Sequence, residues 1–119
     1  MKSPITTHVL DTGQGCPAKG IHVVLDKLND AEMWESIGEG TTDIDGRSSD
    51  ILNDNATISP GAYRLTFDVT TYFQAQDCES FYSTIPIVFT VKDPNLHYHV
   101  PLVLNPFGYS TYRLSLRHS

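Results

Sequence analysis

A chain of 119 residues with eight Lys or Arg against fourteen Asp or Glu, net charge −6, is the size of one domain with an acidic balance. That balance excludes a protein built to grip nucleic acid, where cations must neutralise phosphates. No apolar run approaches the roughly 18 residues of a membrane span, and two cysteines, Cys16 and Cys78, neither make a disulfide framework nor carry C-x-x-C spacing.

Apolar residues alternate with period two along nearly the whole chain, the signature of half-buried strands. Ile5 to Asp11 reads as the first strand, stopped by the turn cluster Thr12-Gly13-Gln14-Gly15. Ile21 to Leu28 is the second, with Ile21, Val23 and Leu25 on one face. Met33 to Glu39 is a weaker third, and Asp43-Ile44-Asp45-Gly46 a turn that delivers Arg47. After the turn Ser59-Pro60-Gly61, the stretch Tyr63 to Val69 alternates Tyr63, Leu65, Phe67 and Val69 with Arg64, Thr66 and Asp68. Thr70 to Asp77 is the one expected helix, with Thr70 or Thr71 as its N-cap. Ser83 to Val91, His97 to Leu104 and Tyr109 to Leu116 complete the set. Short strands at this spacing predict a single all-β domain over residues 1–119, an antiparallel β-sandwich of seven to eight strands with one short helix.

Alternation also assigns faces. His8 shares a face with Thr6 and Leu10; His97 and His99 share one with Pro101 and Val103; Ser110 and Tyr112 share one with Leu114. Val100, Leu102 and Leu104, on the other side of the penultimate strand, suit a core. The histidine face therefore points outward while still carrying Leu10, Val103 and Leu114. An outward, partly apolar sheet face is commonly covered by another subunit.

The pieces Ile5-Thr6-Thr7-His8-Val9-Leu10-Asp11, Asp45-Gly46-Arg47, His97-Tyr98-His99-Val100-Pro101-Leu102 and Tyr109-Ser110-Thr111-Tyr112-Arg113 together resemble the transthyretin-like family of 5-hydroxyisourate hydrolases, in the right order over nearly the whole chain. The resemblance implies a transthyretin-like (prealbumin-like) sandwich and a homotetramer, a dimer of dimers with active sites in the channel between dimers. It implies hydrolysis of 5-hydroxyisourate to 2-oxo-4-hydroxy-4-carboxy-5-ureidoimidazoline in urate breakdown. It also assigns catalysis to His8, Arg47 and His99 and substrate binding to Tyr112, Arg113 and Ser115. The sequence departs from the family at its end, where Tyr112-Arg113-Leu114-Ser115 stands in place of Tyr-Arg-Gly-Ser.

These residue types suit the reaction. Opening the ring adds water to a carbonyl and expels a ring nitrogen, so a base is needed, and imidazole titrates near neutral pH. A guanidinium beside it favours the neutral, proton-accepting ring and stabilises the developing oxyanion. His8 and His99 divide the roles of base and proton donor, and the sequence does not say which takes which. Imidazoles two apart, as at His97 and His99, also suit zinc, but no carboxylate or cysteine stands by to complete a set, so neither metal nor other cofactor is expected. His22 and His118 read as ordinary surface residues and His97 as a neighbour at the rim of the channel. The competing reading is a non-catalytic transthyretin-like carrier of a small hydrophobic ligand; carriers of that superfamily lack the two histidines and the arginine. No signal-peptide h-region opens the chain, and Arg117-His118-Ser119 is not a peroxisomal address, so the expected compartment is the cytoplasm.

Overall fold

The computed structural model describes residues 3–53 and 55–113. Their strands form two sheets packed face to face. The first runs β2 (Cys16–Pro17), β1 (Ile5–Asp11), β8 (Tyr98–Asn105), β9 (Gly108–Thr111), and β5 (Arg47–Ser48) also pairs with β1. The second runs β4 (Trp34–Thr41), β3 (His22–Leu28), β6 (Gly61–Asp68), β7 (Thr84–Val91). The sandwich expected from period-two patterning is present, and the core is made by the inward set of each strand. Ile5, Val9, Leu102 and Leu104 from one sheet meet Val23, Leu25, Leu65 and Phe67 from the other, each 0–1 % exposed. Burial of this contiguous apolar set is the main force holding the sheets together.

The pairing of β1 with β8 is parallel, Ile5 against Tyr98 through to Asp11 against Leu104, while the other ladders are antiparallel. Alternation reports which face a residue takes but not the direction of the neighbouring strand. The Thr7 hydroxyl, fully buried on the core side of β1, donates to the Val100 carbonyl at 2.5 Å and adds a side-chain bond to this ladder.

Several boundaries differ from the sequence expectation. The helix α1 spans Val69–Gln74, not 70–77, and its N-cap is Asp68 rather than Thr70 or Thr71. The Asp68 carboxylate accepts from the Thr71 amide at 3.3 Å and the Thr71 hydroxyl at 2.8 Å, satisfying donors that a helix start leaves orphaned. The chain turns straight from strand to helix, so the last outward residue of β6 becomes the cap. His97 precedes β8 instead of opening it. The weak third strand runs from Trp34 to Thr41, with a register shift opposite Leu25 and Asp26, and its charged residues Glu35 and Glu39 are exposed. The two-residue strands β2 and β5 were not expected; both are docked on β1 by turns and are too short to show a period. The last strand ends at Thr111, and Leu114 to Ser119 lie outside the described residues. Among the described residues no helix is long and apolar enough to cross a membrane.

Candidate active site

Three strands carry the site, β5, β1 and β8 side by side, and the register places the side chains. His8 pairs directly with Arg47 across the antiparallel β1–β5 ladder. Directly opposed residues point to the same face of a sheet, so the guanidinium and the imidazole project together. On the other side of β1, Thr6 is level with His99 and His8 with Pro101. The rings of His8 and His99 lie 6.5 Å apart between centroids, tilted by 41°. The inward neighbours Ile5, Thr7, Val9, Val100 and Leu102 are buried in the core, so this face is outward as the alternation required.

The turn before β5 is what presents Arg47. Asp43 receives the amides of Asp45 and Arg47 on one carboxylate oxygen, at 2.9 and 3.0 Å. Gly46 takes φ +77°, and a Cβ there would fall on the Val9 carbonyl oxygen of β1, so only glycine lets the turn lie flat against the strand. The Val9 amide then donates to the Gly46 carbonyl at 2.7 Å, locking the register that sets Arg47 opposite His8. The Asp43 carboxyl is held below the usual carboxylate value, first by the Arg47 amide, then by the Asp45 amide and the charges of Arg47 and His8, against some desolvation.

Hydrogen bonds orient the rings. Nε2 of His8 donates to the Asp45 carbonyl at 2.9 Å; a carbonyl has no hydrogen to give, so the ring carries one at Nε2. Nδ1 of His99 and Nε2 of His97 each lie 2.9 Å from the Thr6 hydroxyl oxygen. Thr6 is 4 % exposed although it sits on the outward face, because the two imidazoles close over it. Sequence reading placed Thr6 on the histidine face without a role; period two was the signal for its position, but nothing local announced two partners more than ninety residues away. The Asp43 carboxylate and the Asp45 carbonyl were missed for the same reason, since their part depends on the turn docking onto β1.

Of the six expected site residues, His8, Arg47 and His99 come together on the outward face. Tyr112 and Arg113 line, together with His99 and residues 87–90 of β7, one cleft of 170 Å³ that neither His8 nor Arg47 lines. The Arg113 guanidinium sits over the ring of Tyr98, 4.7 Å from its centroid. Tyr98 is buried on the core side of β8, and Arg113, two residues past Thr111, follows the same alternation to that side. Ser115 lies outside the described residues. Among the described residues, no group of three or more His, Cys, Asp or Glu side chains is placed to hold a metal ion. The arrangement can accept a proton, donate one, and stabilise an oxyanion within one outward patch.

Comparison with known proteins places this geometry in context. The family model described as HIUase/Transthyretin matches residues 5–113. The 5-hydroxyisourate hydrolase of Mus musculus is 41 % identical over 112 residues, 93 % of this chain and 94 % of that protein. The solved structure of the 5-hydroxyisourate hydrolase of Klebsiella pneumoniae superposes with a TM-score of 0.79 at 32 % identity, over 93 % of this chain and 98 % of that one. Sea bream transthyretin in complex with thyroxine superposes with a TM-score of 0.89 at 25 % identity, over 98 % and 99 %.

Proposed function

The chain belongs to the HIUase/transthyretin family and is a 5-hydroxyisourate hydrolase of urate catabolism, and from that premise we propose how its outward sheet face opens the ring. The observation that carries the mechanism is the placing of His8, Arg47 and His99 on adjacent strands of one face. His99, anchored through Nδ1 by Thr6, acts as general base through Nε2 and takes a proton from water as the oxygen bonds to a ring carbonyl carbon. Arg47 stabilises the oxyanion that forms there. The ring C–N bond then breaks, and the departing nitrogen takes a proton delivered by the imidazoles. His8, fixed by the Asp45 carbonyl through its Nε2 hydrogen, orients the water or the leaving nitrogen with its other edge. The product is 2-oxo-4-hydroxy-4-carboxy-5-ureidoimidazoline. The site is open to solvent in one chain, and a dimer of dimers would cover it, removing the water that weakens these electrostatic effects.

The experiment generates 5-hydroxyisourate in place with urate oxidase and follows its ultraviolet absorbance with and without the protein. Faster decay supports hydrolysis. Decay at the spontaneous rate, with a small hydrophobic ligand retained, would instead support the carrier reading that the transthyretin-like shape also suits.

A further inference from the structure

The Thr6 hydroxyl has one hydrogen and two imidazole neighbours. Its Oγ1 stands 2.9 Å from Nε2 of His97 and 2.9 Å from Nδ1 of His99. Among the described residues the Thr6 hydroxyl has no other hydrogen-bond partner, so its one hydrogen goes to one of these nitrogens and it accepts from the other. The hydrogens of the two rings are therefore tied together. In one arrangement His99 donates from Nδ1 to Thr6, and Thr6 donates to Nε2 of His97. In the other every hydrogen is reversed, so that His97 donates from Nε2 and His99 accepts at Nδ1. A neutral His99 can take a proton at Nε2 only in the first, because in the second that nitrogen already carries its hydrogen.

We propose that Thr6 is a positioning residue that holds His99 in the Nδ1–H tautomer and passes its proton on to His97. The proposal rests on the reading of His99 as general base. When water yields a proton to Nε2 of His99, the Nδ1 proton moves to Oγ1 of Thr6 while the Thr6 proton moves to Nε2 of His97. Thr6 ends as it began, His99 ends neutral with its hydrogen at Nε2, and the positive charge resides on His97. The return of the chain sends the same proton back for the departing nitrogen, so no proton is gained or lost over the cycle.

The surroundings favour moving the charge this way. A cation on His99 would sit 6.5 Å from the His8 ring, on the face that Arg47 occupies. His97 is exposed ahead of β8, where water solvates an imidazolium. Thr6 itself is 4 % exposed, so the link between the rings is shielded from bulk water. The parallel register that sets Thr6 level with His99 is part of the ladder, and the threonine cannot drift from it.

The test compares Thr6→Val, which keeps shape and loses the hydroxyl, with Thr6→Ser, which keeps the hydroxyl, in the full-length protein. Thr6→Val is expected to lower kcat about ten-fold or more with KM within about two-fold, and Thr6→Ser to stay within about three-fold of the parent. Nitrogen-15 spectra of the histidine rings in the resting wild-type protein should show His97 and His99 both as Nδ1–H tautomers, and Thr6→Val should lose that pattern at His99. This spectrum needs no folded variant and no turnover. An Nε2–H tautomer at His99 in the wild type overturns the proposal, as does a Thr6→Val protein with the parental kcat. Absence of any catalysis by the wild type would sink the hydrolase mechanism, while the wild-type spectrum still decides which tautomer His99 holds and its change in Thr6→Val whether Thr6 sets it.

Discussion

His8 and His99 are held by opposite kinds of partner, and that difference orders the site at the scale of single residues. A backbone carbonyl can only accept, so His8 is committed at Nε2; a hydroxyl can do either, so His99 can change state. Removing the base or the oxyanion stabiliser should therefore be far more costly than removing a surface side chain. His99→Ala and Arg47→Ala are each expected to lower kcat/KM by about 10²–10⁴-fold, measured by the decay of 5-hydroxyisourate absorbance; full rate in both would overturn the roles given to them. Asp43 offers a second check. Its folded-state pKa is depressed, so its contribution to holding the Arg47 turn is complete above the ordinary value of 3.8 and is lost as pH falls through the lower folded-state value. The amide shift of Arg47, followed against pH, should titrate with a midpoint under 3.8. A midpoint at or above it would mean that the amide bonds to Asp43 do not persist in solution.

At the scale of elements, short irregular segments decide where the functional residues point. The turn into β5 has room only for glycine at Gly46, whose φ of +77° and contact with Val9 leave no place for a side chain. Gly46→Ala should cost on the order of 1–3 kcal/mol in denaturant unfolding and lower activity beyond that loss, by pulling Arg47 from its position opposite His8. Parental activity in a folded Gly46→Ala protein would show that the register is not what places Arg47. The helix α1 is tied to the end of β1 by the Tyr72 phenol, which donates to the Asp11 carboxylate at 2.7 Å. Burial and that bond push the phenol up to about 12 from its ordinary 10.0. The folded state thus favours the neutral phenol, and the stability it contributes is complete below pH 10 and lost as pH rises toward 12. Tyr72→Phe should flatten the fall in unfolding free energy over that window; an unchanged alkaline slope would remove Tyr72 as its cause.

At the scale of the whole molecule, the site lies on an outward sheet face with His8 and Leu10 half-buried and Arg47 exposed, a surface one chain leaves open. Assembly as a dimer of dimers would close it, and light scattering of the purified protein should return four times the mass of the chain. A monomer at the concentrations used for kinetics, with full activity, would show that one chain suffices.

Much of this was legible in the residues themselves. Alternation is a local property, and it placed Ile5 to Asp11 on the correct faces, sent Val100, Leu102 and Leu104 inward, and turned His8 and His99 outward. The order of the motifs carried the family. What alternation cannot carry is which strand lies beside which and in what direction, because partners such as Thr6 and His99 are separated by most of the chain. The parallel β1–β8 register, the docking of the Gly46 turn on Val9, the seating of Arg113 on the Tyr98 ring, and the sharing of one hydroxyl by two imidazoles were all decided by tertiary packing. The sequence by itself determined the kinds of chemical group and the face each would occupy, since both follow from side-chain identity and a period of two. Only the tertiary structure decided their distances and hydrogen-bond partners, since these depend on how distant strands are set against one another.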